Sequence, residues 1–241
     1  MGLSLRAERG IKLFFINRKL HRWFRPLSDT LKKLGYLIEL SEWCERQTHA
    51  AIDAADAEFR HDKRYTLYEF LLANKGLDRP MDYLEFGVAA GNSIRWWVEH
   101  NTDTESCFVG FDTFTGLPED WSGGFGKGAF STGGKTPDVK DVRCTFRAGL
   151  FQETLPKFLE TYQRTDKRLV LHLDADLYSA TLYALAALAP YLRKGDMLFF
   201  DEFNVPLHEY RAFTDFLAAF GFKYRVLGAV NTFHAVAMQL E

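Results

Sequence analysis

Asp82-Tyr83-Leu84-Glu85-Phe86-Gly87-Val88-Ala89-Ala90-Gly91-Asn92-Ser93 is the stretch that decides the fold. An apolar strand ends in a carboxylate and breaks into a glycine turn, and a helix follows from Ser93 to His100. A second strand, Cys107-Phe108-Val109-Gly110-Phe111, ends in Asp112, 21 residues after Gly91. Strand, glycine turn, helix, strand and terminal acid form the layout of a dinucleotide or nucleoside site. The glycines let backbone approach a ligand, the helix N-terminus offers free N–H groups, and the acid accepts ribose hydroxyls.

The spacing chooses among ligands. A dinucleotide fingerprint reads G-x-G-x-x-G with a pyrophosphate over the helix N-terminus. Here Gly87 and Gly91 stand four apart, and Glu85 just before them would repel a pyrophosphate. A carboxylate there suits a cationic ligand end, such as the amino group of methionine. The pattern E-x-G-x-x-x-G resembles motif I of class I S-adenosylmethionine (SAM) methyltransferases.

Outward from this motif the pattern alternates. It predicts helix 65–74, strand 82–86, helix 92–100, strands 107–112 and 143–147, helix 152–163, strand 168–174, helix 178–192, strand 196–201 and helix 207–219. Two strands, about 222–228 and 232–239, follow with a gap too short for a helical crossover, so they form an antiparallel hairpin. Alternating strands and helices give a mainly parallel, doubly wound α/β sheet of seven strands. The closing hairpin resembles the Rossmann-like class I methyltransferase fold rather than a dehydrogenase.

The chain divides at about residue 60, into an N-terminal helical extension (1–60) and a catalytic domain (61–241). Leu20, Trp23, Phe24, Leu27, Leu31, Leu34 and Ile38 recur at helical steps. Pro26 interrupts the stripe, Ser28 is placed to cap a new start, and Glu39 to Phe59 reads as further helix. Residues 1–35 hold nine Lys/Arg against Glu8 and Asp29, a charge of +7; the whole chain is −2, so the rest carries −9. The extension reads as a helical cap packed on the catalytic domain or on a second subunit of a homo-oligomer. The rival reading is a basic amphipathic anchor for an anionic membrane.

Composition excludes several classes. An apolar share of 47 % supports a full core, and a net charge of −2 gives no global field for nucleic acid. Cys44, Cys107 and Cys144 are scattered and odd in number, which points to reduced thiols in a cytoplasmic protein and to no zinc site. No apolar run reaches the ~18 residues of a membrane span. The N-terminus lacks a signal-peptide core, and Met1-Gly2 fails the myristoylation pattern because position 6 is Arg6.

The chemistry falls on carboxylates. One strand runs Leu169 to Leu173 into Asp174-Ala175-Asp176-Leu177-Tyr178; another ends in Asp201-Glu202. Neighbouring parallel strands bring Asp174, Asp201 and Glu202 to one sheet edge, where they repel unless a cation or proton intervenes. Oxygen-only ligands suit Mg²⁺ or Ca²⁺. Asp176, with Ser179 and Thr181 nearby, is the natural helix cap. His172 reads as a core histidine, and His208 as a second base candidate that reaches acceptor or lid. Residues 114–140 hold Gly116, Gly123, Gly124, Gly126, Gly128, Gly133 and Gly134, and read as an active-site lid.

Four blocks occur in order: Glu85-Phe86-Gly87, Phe111-Asp112-Thr113-Phe114-Thr115-Gly116-Leu117-Pro118, Gly149-Leu150-Phe151-Gln152-Glu153-Thr154-Leu155-Pro156 and Asp174-Ala175-Asp176-Leu177-Tyr178-Ser179-Ala180-Thr181. Together they resemble the macrocin O-methyltransferase family, over roughly residues 60–240. The resemblance implies SAM as cofactor, held around Gly87, Val88, Gly91, Ser93, Asp112 and Thr113, with Gly149 near the adenine and Lys63-Arg64 at the cofactor carboxylate. It implies Mg²⁺ on Asp174, Asp201 and Glu202, Asp174 as general base, and a hydroxyl of a sugar or other small natural product as acceptor. Glu202 departs from the Asp-Asp ending of that strand in the family. The other classes in play are an NAD-type oxidoreductase on a related fold and a non-catalytic interaction protein that keeps the fold.

Overall fold

The computed structural model describes residues 5–54, 58–121 and 124–241; Gly123 of the loop and the Met1-Gly2 pair lie outside them. Two helices open the chain, α1 (Leu5–Asn17) and α2 (His21–Arg46), and α3 (Lys63–Lys75) leads into the sheet. Then follow β1 (Met81–Phe86), α4 (Asn92–His100), β2 (Cys107–Asp112), β3 (Cys144–Ala148), α5 (Phe151–Leu159), β4 (Arg168–Leu173), α6 (Tyr178–Leu188), β5 (Met197–Phe200), α7 (Arg211–Phe220), β6 (Tyr224–Val230) and β7 (Ala235–Leu240).

The strand order is β3-β2-β1-β4-β5-β7-β6, with β7 antiparallel to both its neighbours and every other pairing parallel. This is the seven-stranded sheet that the alternation predicts, closed by the expected hairpin. Order reverses on either side of β1, so the crevice at the carboxyl ends of β1, β2 and β4 is the topological switch point where such sheets bind ligands.

Strand periodicity sorts side chains between two layers. Leu84, Phe86, Phe111, Leu171, Leu198 and Val236 face α5, α6 and α7. Tyr83, Phe108, Val170 and Phe199 face α3 and α4, against Tyr68 and Trp97. All six residues of β1 are buried, which a central strand with helices on both faces requires.

Several local expectations fail, each for a physical reason. Helix α2 runs through Pro26 without a restart at Ser28. Proline removes one N–H here, and on an exposed helix water can satisfy the freed carbonyl. The same helix stops at Arg46 rather than reaching Phe59; Ala51 then bridges Ala229 of β6, and the Ile52 N–H donates to the Ala229 carbonyl at 2.8 Å. Pairing with a sheet edge takes the backbone out of helical geometry. Helix α5 ends at Leu159, and beyond it the Arg164 guanidinium holds the Tyr191 and Lys167 carbonyls. No side chain caps α6, whose N-cap is Leu177; Asp176 sits just before it in the left-handed region at φ 59°.

Helix α1 buries nothing, and α2 buries only Leu40 and Trp43. Trp43 packs on Phe203 and Phe233, and its indole N–H donates to the Tyr224 hydroxyl at 2.7 Å. Only the last turns of α2, with Tyr36, Leu40, Trp43 and Cys44, therefore dock on the sheet layers, and the rest of α1 and α2 buries no side chain against them.

Candidate active site

The glycine turn after β1 is fixed by contact with the end of β4. Gly87 has φ +92°, and a Cβ there would lie 1.8 Å from the Asp174 carbonyl oxygen, so no other residue fits. The Asp174 N–H donates to the Phe86 carbonyl at 2.9 Å. Gly91 has φ +77°, and a Cβ would lie 2.6 Å from Pro137 of the loop after β2. Close approach at these two glycines joins the turn to the acid-bearing strand on one side and to the loop on the other.

Asp112 closes the turn. Its carboxylate accepts the Val88 and Ala89 N–H groups at 2.7 and 2.8 Å on one oxygen, and the Phe114 N–H at 2.6 Å on the other. A carboxylate offers about four acceptor sites, so three donors leave roughly one for a ribose hydroxyl. Val88 thus shapes the site through its backbone. Gly149, after β3, lies beside this unit, its N–H on the Asp112 carbonyl at 2.9 Å. The arrangement fits a nucleoside held against the turn.

Other residues expected at the cofactor are committed elsewhere. The β1–β4 register puts Glu85 opposite His172 on the face toward α3 and α4. Glu85 is 1 % exposed, accepts the Tyr83 hydroxyl at 2.7 Å, and lies 3.4 Å from His172 Nδ1. Its charge meets an imidazole inside the core rather than a ligand. Ser93 is buried under the Tyr68 hydroxyl at 3.3 Å. Thr113 donates to the Gly116 carbonyl at 2.8 Å and braces the root of the loop. Lys63 pairs with Asp53 at 3.0 Å, tying α3 to the segment that bridges β6.

Arg64 is the largest surprise. Its guanidinium, on the first turn of α3, contacts Asp201 and reaches Asp174 at 3.4 Å. It therefore sits between the two acids, where the sequence reading places a metal or a cofactor carboxylate. Asp201 is 2 % exposed, and its other oxygen lies 3.6 Å from His172 Nε2. Burial opposes the charge on Asp201, but His172 and Arg64 outweigh it and hold this carboxyl below the usual range. Burial also works against protonation of His172; Asp201 and Glu85 overcome it and raise the imidazole to about 10. His172 thus lies buried between two carboxylates that favour its protonated form, a positioning group inside the core.

The remaining acids are crowded. Burial and the charge of Asp201 raise Asp174 well above its ordinary range, although its side chain keeps 27 % exposure and can be reached. Burial lifts Asp176 to about 6; burial and Asp176 lift Glu202 to about 9. Glu209, on a π-helical turn at Pro206–Tyr210, is fully buried and raised too, and accepts the Glu202 N–H at 2.9 Å.

Metal ligation by Asp174, Asp201 and Glu202 does not fit this arrangement. The donor type suits Mg²⁺. Arg64 instead lies between the first two acids, in contact with both. Among the described residues no three His, Cys, Asp or Glu side chains form a metal-holding group.

The loop after β2 lies over the same edge. Phe114 is buried at φ 57° and anchors it, its carbonyl accepting the Thr132 and Gly134 N–H groups. Glu119 accepts the Ser179 hydroxyl at 2.6 Å, and the Trp121 ring meets His208 edge-on at 6.3 Å. His208 is held below its ordinary value by burial, and its Nδ1 is buried without a partner. Ala89, Phe114 and Asp176 all have positive φ, so left-handed backbone recurs around the site. Two concavities lie elsewhere: one of ≈ 640 Å³ at the amino ends of the strands, around Arg79, Arg168 and Lys194, and one of ≈ 900 Å³ beside α4.

Comparison with known proteins supports this assignment of fold. Residues 84–203 match the family model described as a methyltransferase domain. No curated protein matches the sequence. The fold is similar to CalS11, a calicheamicin methyltransferase, at 22 % identity, 83 % of this chain and 92 % of that one, TM-score 0.56. It is similar to the O-methyltransferase NovP at 20 % identity, 75 % and 78 % coverage, TM-score 0.56. A third likeness is to cmcI with Mg-SAM, at 17 % identity, 75 % and 71 % coverage, TM-score 0.50. The match over residues 84–203, the strand order and the glycine turn give this chain the fold of a methyltransferase domain.

Proposed function

We propose that this chain is a SAM-dependent O-methyltransferase acting on a hydroxyl of a sugar or another small natural product. The observation that carries the reading is the contact at Gly87, which sets the turn braced by Asp112 directly against Asp174. A nucleoside on the turn and a proton acceptor for the hydroxyl then share one crevice. The resemblance of four sequence blocks to macrocin O-methyltransferases and the fold likeness to CalS11 and NovP support the substrate class.

Asp112 and the backbone at Val88 and Gly149 hold the nucleoside end. When bound, SAM supplies a methyl group on an already cationic sulfur. Asp174 receives the acceptor's hydroxyl proton as the O–CH₃ bond forms, the S–CH₃ bond breaks, and S-adenosylhomocysteine leaves. A carboxylate whose pKa is raised above the ordinary range is a better base than an ordinary one. Arg64 favours the ionised form of Asp174, and His172 positions Asp201, which positions Arg64. His208, neutral and next to Trp121, faces acceptor and loop. The basic extension (1–60) stands outside this chemistry, which belongs to 61–241.

Calorimetry and labelled SAM test the reading together. SAM binding without NADH binding, plus label transfer to a glycoside or phenol, is the expected result. NADH binding would move the chain to the oxidoreductases; SAM binding with no transfer to any hydroxyl acceptor would leave a binding protein.

A further inference from the structure

We infer that α1 and the amino-terminal two-thirds of α2 form a docking surface for an anionic lipid bilayer. Three observations meet there. The first is exposure: α1 buries no residue, and α2 buries none before Leu40. Large apolar side chains stand open along both helices, among them Phe14, Ile16, Trp23 at 79 %, Phe24, Leu27 and Leu31 at 58 %. Water-soluble surfaces rarely leave so contiguous an apolar face uncovered.

Charge is the second. Nine Lys/Arg against two acids give residues 1–35 +7, while the rest of the chain carries −9. Within this segment, among the described residues, one exposed contact joins opposite charges, Lys32 with Asp29 at 3.5 Å. The other cations face solvent on helices whose opposite sides are apolar. An anionic bilayer offers both complements at once: headgroup charge for the lysines and arginines, and acyl surface for Phe, Trp and Leu. A second copy of the segment would cover the apolar face while adding another +7 beside the first.

Geometry is the third. Among the described residues no helix is long and apolar enough to cross a membrane, so the segment would lie on the surface rather than span it. Only the end of α2, at Leu40 and Trp43, joins the sheet layers. The domain therefore hangs from the far end of the docking helices.

The test is co-sedimentation of the full chain with vesicles. Vesicles of phosphatidylcholine with about one-third phosphatidylglycerol should pellet the protein; pure phosphatidylcholine vesicles should bind at least about tenfold less, and high salt should release it. Lys32→Glu with Lys33→Glu, and separately Trp23→Ser with Phe24→Ser, should each lower binding about tenfold. Circular dichroism should show both variants folded. Equal pelleting with neutral and anionic vesicles, or none, overturns the inference. So does a lipid-independent dimer in sedimentation analysis that Leu31→Glu dissociates, because the face is then a helix–helix seam. Neither outcome bears on methyl transfer.

Discussion

Two carboxylate-bearing strand ends flank β1, and the fold handles them in opposite ways. At the end of β2, Asp112 stands alone and is met by three backbone N–H groups at 2.6–2.8 Å. At the ends of β4 and β5, Asp174, Asp176, Asp201 and Glu202 gather with Glu209 behind them. There the compensation comes from Arg64 and from His172, held between Glu85 and Asp201, while burial raises both Asp176 and Glu202. Fixed backbone dipoles make a site that holds its shape through pH change. Crowded side chains make one whose protonation state is part of its function. The first suits a binding role and the second proton transfer.

The largest expected effect separates the two ends directly. Asp174→Asn keeps size and hydrogen bonding but removes the base, so turnover should fall by about 10²–10⁴ while SAM affinity stays within about twofold. Steady-state kinetics beside calorimetry checks this, and a fully active variant breaks the assignment of proton transfer to the β4 end. Asp112→Asn should do the reverse. Losing one charge-assisted bond weakens SAM binding about ten- to a hundredfold, with kcat at saturation largely retained.

Arg64 sharpens the comparison at the crowded end. Arg64→Met removes the cation that favours ionised Asp174, so the acid limb of the pH–rate profile should move to higher pH. Excess chelator should leave the wild-type rate unchanged within about twofold, because Arg64 already supplies a cation between Asp174 and Asp201. Inhibition by chelator with recovery on Mg²⁺ would mean that Arg64 leaves the acids in the working enzyme.

The smallest effect is on stability. Glu202 is raised from 4.5 to about 9 in the folded chain. Between those values the folded state binds the extra proton, so this group's contribution to stability falls as pH rises through the window. Glu202→Gln removes that dependence. The variant's Tm should equal the wild type's near pH 4.5 and exceed it increasingly toward pH 9. Parallel Tm–pH curves would show that Glu202 is ionised at neutral pH.

Much of this was legible in the residues, but unevenly. The seven strands and the closing hairpin follow from apolar alternation and a short final gap, both local signals. Asp112 and Asp174 are legible because an acid at a strand end has one place to go once the sheet is parallel. Arg64 is not, because nothing in α3's sequence says that its first turn meets β5 across more than a hundred residues. Glu85 misleads for a related reason: the motif places it beside the glycine turn, but cross-strand register with His172 decides which face it takes. Glu209 carries no periodic signal at all, since a π-helical turn has neither the period of a helix nor that of a strand.

The strand order also constrains how the chain can be assembled in time. β7 lies between β5 and β6, so β6 has no strand partner in the sheet until the last of the seven strands has emerged. During synthesis β5 presents an open edge, and Tyr224–Val230 waits beside it unpaired. A ribosome-bound chain that has extruded only as far as β6 exposes two strands ready to pair with other chains. Productive folding of this protein therefore favours rapid release or chaperone cover over that interval, and a stop placed before Ala235 should yield an aggregating product rather than a smaller stable domain.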